Sequence, residues 1–173
     1  MIQMQILPGK KLSEKILKEL RDKISTLEEK PKLAIIQIGE EQPSNVYVSI
    51  KERTGRDIGI AIETYRYQKG DPLLVGAKIK ELNQDSSVHG IILQLPTPGT
   101  EVRELLELIS PDKDVDGLTS KNLGLIWHNN NEVLIGATPK AILFSLEYIS
   151  QQSATSLKEM LPGKNVLIIN HNI

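Results

Sequence analysis

The sequence predicts an α/β fold: a three-layer domain with a parallel sheet flanked by helices, followed by the truncated start of a second unit. Three observations carry this. Short, nearly continuous apolar runs at Leu33 to Ile38 and Gly90 to Leu95 have the character of strands covered on both faces. Stretches with helical spacing stand before, between and after them. A fresh apolar run, Lys164-Asn165-Val166-Leu167-Ile168-Ile169, then begins with almost no chain behind it.

The elements follow in order. Leu12, Ile16, Leu20, Ile24 and Leu27 fall on one helical face, and Ser13 is the expected N-cap. Pro31 ends that helix and the first strand follows, closed by Gly39. A polar loop, Glu40 to Pro43, leads to a helix from Ser44 to Asp57, with Gly59 as its stop signal. Ile60 to Tyr67 alternates like a strand. Asp71-Pro72 reads as a cap with Pro at the first helical position, and Val75, Ile79 and Leu82 continue as a stripe. Gly90 to Leu95 is the third strand, ended by Pro96, and Val102, Leu105, Leu106 and Ile109 mark another helix. Pro111 to Val133 is polar and reads as a long irregular loop, the kind that is usually functional. A helix resumes near Lys140, and a Ser/Gln-rich piece precedes the last strand.

Composition narrows the class. Lysine and arginine number 21 against 22 acidic residues, for a net charge of −1, so no polyanion-coating surface and no nucleic-acid partner are expected. The chain has no cysteine, which removes disulfides, thiolate metal sites and a cysteine nucleophile. No apolar run reaches the length of a membrane span, and the first residues lack the layout of a signal peptide. A cytoplasmic protein is the expectation.

Few residues carry chemistry on spacing alone. Tyr47 and Lys51, four apart, share a helical face; an amine beside a ring can move protons in a partly dry cleft, or simply lie along it at the surface. Gln94 sits at the carboxyl end of an apolar strand, where α/β ligands bind, though backbone groups could equally satisfy it. Asp112-Lys113-Asp114-Val115-Asp116-Gly117 lacks the spacing of a calcium loop, and a solvated acidic turn is its commoner meaning; no metal is expected. His89, His128 and His171 show no ligand spacing, and no glycine-rich phosphate loop is present.

Four segments occur together in order: Pro43-Ser44-Asn45-Val46-Tyr47-Val48-Ser49-Ile50-Lys51, Gly90-Ile91-Ile92-Leu93-Gln94-Leu95-Pro96-Thr97-Pro98, Pro111-Asp112-Lys113-Asp114-Val115-Asp116-Gly117 and Ala137-Thr138-Pro139-Lys140. In this the chain resembles, over essentially its whole length, the bifunctional methylenetetrahydrofolate dehydrogenase/methenyltetrahydrofolate cyclohydrolase family. The resemblance implies a folate-binding catalytic domain over residues 1–150. Residues 151–173 would be a linker and the first strand of a truncated NADP-binding Rossmann domain. It implies that Lys51 is the catalytic lysine, that Gln94 hydrogen-bonds it, and that Tyr47 stacks on the folate. Asp116 would bind the pterin, with Leu95 and Pro96 beside it in the substrate site, and Thr138, Asn170, His171 and Asn172 would face the cofactor. Tetrahydrofolate derivatives are the implied partners, with a homodimer for the intact enzyme and a monomer for this piece.

The family pattern is broken in places. Thr138-Pro139-Lys140-Ala141 stands where Thr-Pro-x-Gly is usual, and His89 where an Asp is usual. Ile169-Asn170-His171 stands where the family has Gly-Arg-Ser, without the glycine that admits a phosphate or the arginine available to the NADP 2′-phosphate. The expectation is therefore that NADP belongs to the intact enzyme and does not bind residues 1–173. Two alternatives stay open: a cyclohydrolase-only enzyme, and a non-catalytic folate-binding domain.

Overall fold

A computed structural model describes residues 6–68, 72–98, 101–128 and 133–167. Three strands, β1 (Lys32–Ile38), β2 (Ala61–Tyr67) and β3 (Gly90–Gln94), form a parallel sheet in the order β2-β1-β3. Helix α1 (Gly9–Ser25) precedes β1, α2 (Gln42–Ile58) joins β1 to β2, and α3 (Pro72–Gln84) joins β2 to β3. Beyond the sheet come α4 (Val102–Glu107), α5 (Ser120–Trp127), α6 (Ala137–Gln152) and the single turn α7 (Leu157–Met160).

Alternation along the strands sorts the core into two sides. Ala34, Ile36, Ile38, Ile91 and Leu93 pack with Val75, Ile79 and Leu82 of α3 and Leu105 of α4. Ile35 and Ile92 point the other way, onto Val48 of α2, with Leu33 and Ile62 beside them. This parity matters for the site. Gln94 shares the phase of Ile92, so it emerges on the α2 side of the sheet, one step beyond the apolar run. Gly59 closes α2 in the left-handed conformation (φ 91°), which glycine adopts without strain.

The three strands and the helices over both faces agree with the fold class predicted. Four details differ. Helix α1 begins at Gly9 with Pro8 as its N-cap residue, so Ser13 lies inside the helix; the Leu12 N–H already bonds the Pro8 carbonyl at 3.1 Å. The expected loop from Pro111 to Val133 contains α5. The Thr119 side chain caps it by accepting from the Asn122 N–H, a start signal hidden by the polar residues around it. Helix α6 starts at Ala137, ahead of Lys140, and runs to Gln152, past the boundary placed at residue 150. Within the expected linker, Ser156 and Glu159 close a capping box that starts α7.

The apolar run from Lys164 forms no strand over its described residues, 164–167, and Val166 and Leu167 are exposed. A strand exists only as part of a ladder, and among the described residues no neighbour pairs with 164–167. Asp71 and residues 168–173 lie outside the described residues.

Candidate active site

Helix α2 and strand β3 bring the first three site residues together. Lys51 and Tyr47 lie one turn apart on α2, as their spacing predicts. The Lys51 Nζ donates to Gln94 Oε1 at 2.9 Å. Gln94 is buried, and its Nε2 donates to the Leu95 carbonyl at 2.7 Å. That second bond fixes which way the amide faces, leaving its oxygen to the lysine. The Tyr47 ring is 60% exposed and free to be covered. Leu95 packs partly against the larger core cluster, Pro96 is exposed, and the peptide between them is cis.

The same end of the sheet holds a second buried glutamine. Gln37 stands beside Gln94 in the β1–β3 register and donates through Nε2 to Asn45 Oδ1 at 2.5 Å, which ties β1 to the first turn of α2. Two polar atoms here, Gln37 Oε1 and Ser44 Oγ, are buried without a hydrogen-bond partner among the described residues. Their spacing in the sequence gave no warning of this, because the contact depends on register.

Asp116 completes the group. Its carboxyl is partly buried and makes no hydrogen bond or ion pair with a described residue. Burial pushes its pKa up; the Lys51 ammonium pulls against that, and the Asp114 carboxylate adds to it. The Lys51 charge therefore reaches the Asp116 carboxyl, from an element 65 residues away in sequence.

Asp114 has the opposite character. It is 1% exposed and accepts from the Leu118 and Thr119 N–H groups at 3.2 and 2.8 Å and from Asn122 Nδ2 at 2.9 Å. Burial alone would raise its pKa, but these donors outweigh burial and hold it below the ordinary aspartate value. Lys113 donates to the Leu82 and Asp85 carbonyls at 2.8 and 2.7 Å. The acidic string is thus a bonded turn, contrary to the solvated reading. Thr119 and Asn122, eight or fewer residues downstream of Asp114, were missed as parts of it; a Thr-Ser pair before Leu123 and Leu125 was the readable signal.

The residues expected to face a nucleotide are described only in part. Thr138 is exposed in the first turn of α6, and Asn170, His171 and Asn172 lie outside the described residues, as does His171's segment as a whole. Among the described residues no group of three acidic, His or Cys side chains could hold a metal ion. No described helix is long and apolar enough to cross a membrane.

An open parallel sheet with a lysine–glutamine pair and a carboxyl unpaired among the described residues near its strand ends is the arrangement of an α/β domain that takes a ligand there. The chain belongs to the tetrahydrofolate dehydrogenase/cyclohydrolase catalytic-domain family, whose model matches residues 7–116. It is 39% identical over 145 residues to the bifunctional protein FolD of Chlamydia pneumoniae, covering 83% of this chain and 51% of that one. Against the FolD protein of Lactobacillus acidophilus the identity is 35% over 173 residues, covering 97% and 58%. The chain therefore spans little more than half the length of these relatives. The crystal structure of the bifunctional FolD methylenetetrahydrofolate dehydrogenase/cyclohydrolase from Campylobacter jejuni superposes with a TM-score of 0.83 at 33% identity, over 86% of this chain and 54% of that one. The Trypanosoma brucei enzyme, solved with NADP cofactor and an inhibitor, shares the fold at 23% identity and a TM-score of 0.78.

Proposed function

We propose that residues 1–150 form the folate-binding catalytic domain of a bifunctional methylenetetrahydrofolate dehydrogenase/methenyltetrahydrofolate cyclohydrolase. In this reading Lys51, Gln94 and Tyr47 are catalytic, and Tyr47, Gln94, Leu95, Pro96 and Asp116 contact the substrate. The observation that carries it is the Lys51–Gln94 bond at 2.9 Å, with the Asp116 carboxyl in reach of the Lys51 charge and without a donor among the described residues.

The chemistry follows from those atoms. Gln94 Oε1 accepts from Lys51 in either protonation state of the amine, so the nitrogen stays in place while its charge changes. Water adds to the methenyl carbon. As the carbon–nitrogen bond to the ring breaks, one water proton reaches the departing ring nitrogen through Lys51 and the other leaves to solvent. The Asp116 carboxylate accepts paired N–H donors from an aminopyrimidine edge, which orients the ring as well as binding it. Tyr47 offers a face for the aromatic part of the folate.

NADP is the hydride acceptor implied for the intact enzyme. The described residues do not fit it: one exposed threonine, Thr138, is no pyrophosphate site, and no strand–helix turn with close-approach glycines stands near it. We assign no hydride step to these residues, and residues 151–173 are read as a linker leading toward a nucleotide domain. Ile169 and Asn170, in place of the family's Gly-Arg, favour a cyclohydrolase-only parent as the second reading. A cytoplasmic homodimer is the assembly inferred for the intact enzyme.

The test joins two measurements on the 173-residue protein: calorimetric titration with folic acid, and loss of the methenyltetrahydrofolate chromophore. Saturable binding with hydrolysis above the uncatalysed rate is expected. Binding without hydrolysis would leave a folate-binding domain, and no binding would overturn the reading.

A further inference from the structure

Among the described residues the Asp116 carboxyl has no hydrogen bond of its own, and its direction follows the backbone turn that carries it. That turn is built around a neighbour. The Lys113 carbonyl accepts from the Ile91 N–H at 2.7 Å, and residue 114 bridges to Ile91 in parallel, which lays the chain along the free edge of β3. Val115 covers Gly90 so closely that a Cβ there would stand 2.7 Å from Val115 Cγ1. The Asp114 carboxylate then reaches forward and gathers the Leu118 and Thr119 N–H groups and the Asn122 amide, while the Gly117 N–H bonds the Asp114 carbonyl at 3.1 Å.

Residues 114 to 119 form a closed ring, and Asp116 stands at its crown. Gly117 lies at φ +64°, against the backbone of the segment entering α6: a Cβ on it would stand 2.5 Å from the Leu134 carbonyl oxygen. A Cβ on Gly136 would stand 2.7 Å from the Asp116 carbonyl oxygen. The same Asn122 nitrogen that donates to Asp114 also donates to the Pro111 carbonyl at 3.0 Å, fastening the ring's entry to its exit.

We propose that Asp114 is a positioning residue for substrate binding: its buried carboxylate closes the turn that presents the Asp116 carboxyl to the folate. This rests on the folate reading above. Asp114 itself touches no substrate, being 1% exposed and fully engaged by protein donors. A carboxylate suits the task because it accepts from three donors at once; an asparagine in its place turns one acceptor into a donor facing N–H groups.

The experiment is a double-mutant cycle read by calorimetry with folic acid, on Asp114→Asn, Asp116→Asn and the pair, each checked for folding by circular dichroism. If Asp114 acts through Asp116, Asp114→Asn weakens binding about tenfold, and the double variant binds no more weakly than Asp116→Asn alone. Additive losses, or full affinity in a folded Asp114→Asn, would overturn the proposal. Should Asp114→Asn fail to fold, Asn122→Ala, which removes one of the three donors, takes its place with a smaller loss and the same non-additivity.

A second readout does not need folate. The titration of the Asp116 carboxyl, followed by carbon-13 NMR, should move upward on Lys51→Met in the parent protein and hardly move in the Asp114→Asn background, where the turn no longer holds the two groups together. An unchanged Lys51 effect in that background refutes positioning. If folic acid fails to bind while this coupling behaves as expected, the folate reading falls, and what stands is that Asp114 holds the Asp116 carboxyl in place toward Lys51.

Discussion

The two halves of the site are built by different means. Lys51 and Gln94 come from regular elements, a helix and a strand whose apolar faces are clamped by Val48, Ile35 and Ile92. Asp116 comes from a turn with no regular structure, clamped by one buried carboxylate and its donors. The first half is held by packing, which tolerates changes among apolar side chains of similar size. The second is held by directional hydrogen bonds in which one altered atom leaves a buried group unpaired. Sensitivity to mutation should therefore differ in kind between them.

The largest effect is expected in the packed half. Lys51→Met keeps the side-chain stem but removes the amine, and methenyltetrahydrofolate hydrolysis should fall about 100-fold or more with folic acid binding retained. Near-normal hydrolysis by a folded variant would remove Lys51 from the chemistry. In the turn half, Asp116→Asn should weaken folic acid binding by roughly 1.5–3 kcal/mol, measured by calorimetry, with hydrolysis at saturating substrate much less affected than by Lys51→Met.

The two carboxylates of the turn should also respond to pH with opposite sign. Asp114 has a lowered pKa in the folded protein, so it contributes stability above the ordinary aspartate value that is lost as pH falls through its folded value. Asp116 has a raised one, because burial disfavours its charge; its ionisation costs stability, and that cost appears as pH rises from the ordinary aspartate value through the raised one. Thermal midpoints at neutral pH should be lower for Asp114→Asn and slightly higher for Asp116→Asn than for the parent. Both differences should shrink on acidification below the ordinary aspartate range. A stabilised site variant is the usual sign of a group kept for function at some expense in stability.

The smallest expected effect is none. Calorimetry with NADP at millimolar concentration should show no saturable binding to the 173-residue protein, since Thr138 alone among the described cofactor candidates offers a polar group and it stands exposed. One-site binding would place the nucleotide somewhere other than the strand–helix turn of a second domain.

What could be read beforehand follows the same division. The strands at Lys32–Ile38 and Gly90–Gln94 were legible because burial on both faces demands continuous apolar residues, and α2 because its stripe and Gly59 mark face and end. The Tyr47–Lys51 pairing was legible from helical spacing, which is local. Helix α5 was obscured because its cap, Thr119, and its buried Asn122 are polar residues used internally. The turn at Asp114 was misread as solvated for the same reason: a carboxylate that will be buried among donors looks in sequence like one that will face water.

The sequence by itself determined the α/β class, the helix carrying Tyr47 and Lys51, and the strand ending at Gln94, because each depends on periodicity within a few residues. Spacing within the chain did not place Lys51 against Gln94, which only the family resemblance implied, and only the tertiary structure decided that Gln37 backs onto α2 and that Asp114 is held while Asp116 is left open. Those facts depend on strand register and on which donors a folded turn happens to surround. A run such as Lys164 to Leu167 makes the limit plain. Its apolar residues state a preference for extended chain, but a strand is made by its neighbours, and none among the described residues pairs with it.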